Sequence, residues 1–403
     1  MSEARRSKLQ GVKVTALIFT LFFLLQLLYR TFLSREHEFK YHTPVKADLY
    51  SFTDLLPYFS EARSPLLMAY LAFIFRLNVY RQAAIAVAML LISACALTGV
   101  YHLARRVSNR EVASATTICT ALYPVFFEQA ALIQPDTAVM MFTIWALYFY
   151  LPPARAENDA PPKERAPRPD AASQHENSLR DGRGWGRRRI AAACLFLLAS
   201  LMKETALLAP LALFACEMIC RRKHLTGAAG PAFGRKRPRL VESLLLLAPL
   251  LSLVAWFAFD QHFARLLPDS TPFQFHAESF TPPALVARAL GRRFWQVTGH
   301  ANLFVLTLCG LAAMAFPALS ENETERPRIF VAVQLKFAAV ILFYVVGMAA
   351  SGDAAAAREM LPVMPLPVLI WVSTLRRRVR RWSILVWVVC AGFLVKMLFD
   401  LPR

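Results

Sequence analysis

The chain has little glycine and no cysteine pattern typical of a disulfide framework or a metal site. Its 403 residues include 14 glycines, seven cysteines and eight histidines. Every cysteine lies within a long apolar stretch, and none has C-x-x-C spacing, so we expect buried thiols that pack as small apolar side chains. The histidines form no H-E-x-x-H motif, and a zinc site of that type has no support.

Acidic residues are also scarce, since 27 Asp and Glu stand against 46 Lys and Arg, a formal net charge of +19. The basic residues flank apolar stretches and do not form a basic domain with interleaved aromatic residues. This distribution excludes nucleic acid as the expected partner and favours contact with the headgroups of anionic membrane lipids.

What the sequence has in excess is apolar residues, at 57% of the chain, with a mean hydropathy of +0.41. Globular proteins contain roughly 45–50%. Stretches such as 82–104, 240–259 and 329–350 approach or exceed the roughly 20 residues that cross a bilayer core as a helix. We expect an all-α polytopic membrane protein with about eleven transmembrane helices, and an interfacial helix at 65–77.

The distribution of arginine predicts the topology of these helices. A basic N-terminus, expected to be retained as an uncleaved first span, is predicted to be cytoplasmic, and each basic gap faces the same side. Segment 152–189 is rich in proline and charge without an apolar face. It is predicted to be a flexible cytoplasmic linker between an N-terminal membrane module, 1–151, that includes the first external loop, and a C-terminal membrane module, 190–403. The apolar run 190–220, broken at Lys203-Glu204, is predicted to form two short helices joined by an external turn.

The gaps that are not basic carry charged residues near the external interface: Asp48, Asp54, Asp136, Lys203, Glu204, Arg358 and Glu359. Ionisable groups at such positions are costly and are usually functional. A carboxylate can deprotonate an acceptor hydroxyl or hold a divalent metal ion, and Lys or Arg can hold a phosphate. Together they would suffice to displace a lipid phosphate from a sugar. His262 and His276 could line the substrate cavity, although a plain loop role is the simpler interpretation.

Several motifs, taken in order, resemble one enzyme family. The chain is similar to the polyprenyl-phosphate-dependent glycosyltransferases of the GT-C fold, close to the protein mannosyltransferase-like and lipid A aminoarabinose transferase-like group. The resemblance depends on Asp48 before an interfacial helix that begins Arg63-Ser64-Pro65-Leu66-Leu67, on Gln134-Pro135-Asp136, on Ser200-Leu201-Met202-Lys203-Glu204-Thr205, and on an Arg-x-x-Leu-Pro-x-x-Pro motif from Arg358 to Pro365. The chain departs from the family at Asp48-Leu49, where an acidic pair is common, and at Arg63-Ser64-Pro65, where the family has His-Pro-Pro.

The resemblance implies an inverting sugar transfer from a polyprenyl phospho-sugar donor to a lipid, glycan or protein acceptor. It implies an enzyme of the inner membrane whose site faces the periplasm. Asp48 would be the general base, with Asp54 as the rival, and Asp136 would position the acceptor or a divalent metal ion. Lys203 and Arg358 would stabilise the departing phosphate, and Glu204, next to Lys203, would contact the substrate.

Simpler roles exist for most of these residues. Asp136 after Pro135 could cap a helix, Lys203-Glu204 could be a solvated turn, and Arg358 could extend to the interface. A transporter or flippase of a lipid-linked anionic substrate is the alternative function, but it would require charges at the bilayer midplane or symmetric broken helices. An envelope-assembly scaffold would tolerate the loss of all these charges.

Overall fold

The computed structural model describes residues 3–28, 66, 82–130, 135–151, 171–207, most of 209–218, 240–264 and most of 361–399. Within these ranges the ordered elements are helices, and no strand is present. The α-helices are α1 (Glu3–Leu28), α2 (Gln82–Val107), α3 (Arg110–Ala121), α4 (Pro124–Gln129), α5 (Pro135–Tyr150), α6 (Ala171–Met202), α7 (Leu240–Leu244), α8 (Ala248–Ala264), α9 (Pro365–Arg378) and α10 (Trp382–Phe399). The all-α fold class is confirmed for the described part of the chain.

The sequence also predicts one membrane span at about 111–133, and the structure shows that this stretch is interrupted. Helix α3 begins after Asn109, whose Oδ1 accepts a hydrogen bond from the Val112 N–H at 3.0 Å. It ends at Ala121, and Tyr123 has an extended backbone (φ −61°, ψ 120°) before Pro124 starts α4. Proline disfavours helical geometry at the residue before it and lacks an N–H. The prediction of one uninterrupted helix was therefore wrong.

Helix α6 is longer than predicted. It begins at Ala171, whereas residues 152–189 were expected to form a flexible linker. Lack of an apolar face argues against burial, but it does not prevent a helix from extending outward from the packed stretch 190–202. Residues 171–189 belong to this helix, while the linker role and the division into modules stay predictions. Helix α1 begins at Glu3, whereas the sequence predicts that the first membrane span begins at about residue 14.

The core is built around α5. This helix packs against α2 on one side and α6 on the other, while α3 packs against α2, α9 and α10. Gly99 of α2 allows the close approach, because a Cβ there would lie 3.0 Å from Trp145 Nε1 of α5. The indole N–H of Trp145 donates to the Cys95 carbonyl of α2 at 3.1 Å. The largest buried side chains include Tyr123, Phe126, Phe127 and Phe196.

Two helical stretches of the described residues are long and apolar enough to cross a membrane, Val87–Val107 and Leu240–Ala258. Two shorter apolar helices are Lys13–Leu28 and Trp382–Val395. Val87–Val107 and Leu240–Ala258 coincide with the apolar stretches 82–104 and 240–259, Lys13–Leu28 with the predicted first span, and Trp382–Val395 with a span predicted at about 383–399. The outer faces of α1 and α10 expose large apolar side chains, as helices that face lipid do. The count of eleven spans stays a prediction.

Candidate functional site

The candidate site lies where α6 ends. The helix ends at Met202, the Lys203 N–H donates to Ala199 O at 3.0 Å, and a 3₁₀ turn follows over Glu204–Leu207. Helical residues resume at 209–211. The break at Lys203-Glu204 is the one expected from the sequence, and it places a lysine at the tip of a helical hairpin.

Asp136 lies opposite this tip. Pro135 occupies the first position of α5, a place that proline favours. Asp136 therefore lies within the first helical turn, where a carboxylate interacts favourably with the helix dipole. Asp136 is therefore the second helical residue and is not the N-cap residue of the simpler interpretation, because α5 begins at Pro135.

Asp136 and Lys203 form a buried ion pair. Lys203 Nζ donates to Asp136 Oδ1 at 2.8 Å. The carboxylate side chain is 2% exposed and the lysine side chain 15% exposed. Burial of two charges is costly unless they are paired with good geometry, and a hydrogen bond between ionised groups is about twice as strong as a neutral one. Of the two side chains, that of Lys203 is the more exposed.

Apolar residues that flank Asp136 and Lys203 in the sequence form a small cluster beside the pair. Ala138, Val139, Ala199, Met202 and Ala206 pack together, and Leu66, Ile92 and Phe142 pack against them. Leu66 belongs to the predicted interfacial helix that begins Arg63-Ser64-Pro65. One residue from each of three motifs that carry the family resemblance, Leu66, Asp136 and Lys203, therefore lies at this place in the fold.

A second polar cluster lies at the opposite end of α5 and was missed in the sequence analysis. Arg189 Nη2 donates to Glu217 Oε1 at 2.6 Å, and the Tyr150 hydroxyl donates to the same oxygen at 2.6 Å. The signal was present in the sequence, because Glu217 is an acid within the run 190–220, which was treated as apolar apart from Lys203-Glu204.

Arginines gather at this second end. Arg106, at the end of α2, donates to the Tyr148 carbonyl, and its guanidinium lies 4.7 Å from the centre of the Tyr148 ring. Arg188 approaches the same ring at 5.7 Å. Because Tyr150 lies 14 positions after Asp136 in α5, and each position adds 1.5 Å along the helix, the two polar clusters are about 21 Å apart. Asp136 and Lys203 lie at one end of these helices, and Arg106, Arg188 and Arg189 lie at the other.

For the remaining predicted site residues, the structure describes at most the backbone. Asp48, Asp54, His276 and Arg358 lie outside the described residues. Glu204 begins the 3₁₀ turn and His262 lies in α8, and only their backbones are described. Their proximity to Asp136 stays a prediction.

The described residues contain no group of three or more His, Cys, Asp or Glu side chains that could hold a metal ion. Asp136 is itself a poor ligand for a cation, because the Lys203 ammonium already neutralises it at 2.8 Å. The arrangement around this aspartate therefore fits the anchoring of a lysine better than the binding of a metal.

Comparison with known families gives one match. Residues 62–159 match the family model described as Dolichyl-phosphate-mannose-protein mannosyltransferase. The family resemblance predicted from the sequence is confirmed over this stretch. It covers α2 to α5 and includes Asp136, but it excludes Asp48 and Lys203. No curated protein sequence matches the chain significantly.

Solved structures similar to the chain include oligosaccharyltransferase structures from Archaeoglobus fulgidus. The apo form has a TM-score of 0.49 at 12% identity, covering 95% of this chain and 54% of that chain. A complex with Zn and sulfate has a TM-score of 0.45 at 14% identity, covering 86% and 47%. A complex of the enzyme AglB with an inhibitory peptide and a dolichol-phosphate has a TM-score of 0.43 at 13% identity, covering 85% and 49%. The chain thus spans about half of the length of these structures.

Proposed function

We propose that the chain is an integral membrane glycosyltransferase that moves a sugar from a polyprenyl phosphate donor to a hydroxyl of a lipid, glycan or protein acceptor. The observation that carries the proposal is the buried Asp136–Lys203 pair, in which the more exposed side chain, that of Lys203, lies at a helix break. The family match over residues 62–159 supports the same reaction class.

In the proposed reaction Asp48 removes the proton of the acceptor hydroxyl, with Asp54 as the rival base. The hydroxyl oxygen attacks the anomeric carbon while the bond from that carbon to the phosphate oxygen breaks, which inverts the configuration. The polyprenyl phosphate leaves with an additional negative charge. Lys203 and Arg358 stabilise this charge, because a cation fixed where charge develops lowers the barrier.

Asp136 acts through Lys203 in this scheme. The carboxylate holds the ammonium at 2.8 Å, so the lysine is oriented before the donor binds. A charged group held in place in this way does not have to reorganise during the reaction. Glu204, His262 and His276 are proposed contacts of the donor or the acceptor, and no step is assigned to a metal ion.

The proposed location is the inner membrane, with a cytoplasmic N-terminus and the site at the periplasmic face. Arg106, Arg188 and Arg189 lie at the end of the helices opposite Lys203. Arginine accumulates on the cytoplasmic side of membrane proteins. The Asp136–Lys203 end is then the external one.

Sugar transfer from a labelled polyprenyl-phosphate donor in membrane vesicles tests the proposal. We expect Lys203→Met to lower the transfer rate per folded protein by about 10²–10³-fold, the usual loss when one charge-stabilising group is removed. Lys203→Arg should retain more activity, and Asp136→Asn should lose roughly tenfold to a hundredfold because the lysine is misplaced.

The matched control is Arg189→Met combined with Glu217→Met, which removes the other buried ion pair. This variant should keep its transfer rate per folded protein within about threefold of the wild type, because the pair lies at the opposite end of the helices from Lys203. A tenfold loss of rate would require the reaction barrier to rise by about 1.36 kcal/mol. Equal losses in the control and in Lys203→Met would contradict a role for Lys203 in the reaction. Movement of labelled donor across the bilayer without transfer would favour the transporter instead.

A further inference from the structure

A groove between α3 and α10 lies away from the candidate site. It has a volume of about 170 Å³ and is lined by Ala115, Ile118, Trp382, Ser383, Val386 and Trp387. Drug-sized ligand sites measure about 300–1,000 Å³, so this groove suits part of an elongated apolar chain. Trp387 is 61% exposed at its rim.

The two helices run in the same direction and meet beyond one end of the groove. Cys119 Sγ of α3 lies 3.5 Å from Cys390 Sγ of α10, and the rings of Tyr123 and Phe393 are 5.7 Å apart. These contacts follow the groove residues in both helices. The groove is thus bounded at that end and reaches its other end near Trp382, the first residue of α10.

Positive charge lies at this other end. Arg380 and Arg381 precede Trp382 and are exposed. The neighbouring Arg376 pairs with Glu111 at 3.3 Å, so a carboxylate already neutralises that arginine. A basic site next to an apolar groove between two helices of a membrane protein matches an anionic headgroup joined to an acyl chain. A tryptophan at the boundary is typical of the membrane interface.

We propose that this groove binds one anionic phospholipid of the membrane leaflet on the arginine-rich side. The phosphate contacts Arg380 and Arg381, and one acyl chain lies along Trp382, Val386 and Trp387. The proposal depends on the membrane location and not on sugar transfer, so it can fail while the proposed enzymatic activity stands. The lipid joins α3 to α10 as a structural ligand.

The first test is native mass spectrometry of the full chain in detergent with added phosphatidylglycerol or phosphatidylcholine. We expect one phosphatidylglycerol to be retained, and the affinity to fall about tenfold or more in Arg380→Gln/Arg381→Gln, given the attraction of each arginine to anionic lipid. The control, Arg105→Gln/Arg187→Gln, removes two other exposed arginines and should change the affinity less than twofold. An equal loss in the control, or equal retention of phosphatidylcholine, overturns the proposal.

The second test examines the acyl chain. Bilayers contain phosphatidylglycerol with brominated chains, which quench nearby tryptophan fluorescence. The chain has seven tryptophans, so the contribution of Trp387 is the difference between the wild type and Trp387→Phe. We expect this contribution to be quenched at least twofold more by brominated phosphatidylglycerol than by brominated phosphatidylcholine at equal mole fraction. Equal quenching, or cross-linking of Trp387→Cys to a second copy of the chain, overturns the proposal.

Discussion

Arg189 and Glu217 close the base of a helical hairpin whose tip is Lys203. The two residues lie 14 positions before and 14 positions after this lysine, and their side chains meet at 2.6 Å. The chain therefore reverses direction at Lys203 and returns along α6. Because Tyr150 of α5 also donates to Glu217, the hairpin and α5 are joined at this end.

Removing one partner of this pair should destabilise the protein. Glu217→Gln leaves a buried guanidinium without its counter-charge, which typically costs about 3–5 kcal/mol. Tyr150→Phe removes one hydrogen bond and should cost about 1 kcal/mol. Thermal unfolding of the purified protein in detergent, followed by intrinsic fluorescence, measures both effects.

The double variant Arg189→Met/Glu217→Met provides the control for that experiment. Replacing both ions with apolar side chains of similar size is often neutral or stabilising, so its Tm should exceed that of Glu217→Gln. A Tm of Glu217→Gln indistinguishable from that of the wild type would show that the pair does not hold the hairpin.

Gly99 should not tolerate a β-branched residue. A Cβ at this position lies 3.0 Å from Trp145 Nε1 and 3.1 Å from Ile144 Cγ2, and the ring is held by its bond to Cys95 O. Gly99→Val should destabilise the protein by about 1–3 kcal/mol, the usual cost of overpacking. Gly392→Val is the matched control, because nothing lies within 4 Å of a Cβ there. Equal shifts in Tm for the two variants would argue against close contact of α2 and α5.

Cys119 and Cys390 should form an intramolecular disulfide under mild oxidation. Their sulfur atoms are 3.5 Å apart although the residues are 271 positions apart in the chain. In a variant that keeps only these two cysteines, copper phenanthroline should give a cross-link detected as the loss of two hydrogens in the intact mass. A variant that keeps only Cys119 and Cys194 should remain reduced. Disulfide-linked dimers without an internal cross-link would contradict the packing of α3 against α10.

Asp48→Asn should reduce sugar transfer by about 10²–10⁴-fold, the contribution of a positioned general base. Asp54→Asn is the matched comparison in the same loop and should lose much less. The transfer rate in membrane vesicles at saturating donor measures both. A larger loss for Asp54→Asn would assign the base to Asp54. Full activity in both variants would exclude both carboxylates as the general base.

Helices were predictable where a long apolar stretch ends at charged residues, as in α2 and in the hairpin broken at Lys203. The pairing of Lys203 with Asp136 was not predictable, because both were assigned to substrates and nothing in the sequence shows that two turns meet. The α3–α4 break was missed although Pro124 signals it, since the apolar run continues through the proline. Glu217 was missed because a single acid barely changes the character of a long apolar segment.

The two ends of α5 are both anchored to the same hairpin, by Asp136 to Lys203 and by Tyr150 to Glu217. An axial slide of α5 would break a polar contact at each end at once, and each break would leave a carboxylate that is only 2% exposed without this partner. The helix is therefore fixed in register against its neighbour. In the proposed reaction, admission of the long-chain donor and release of its product would then depend on movement of segments other than α5.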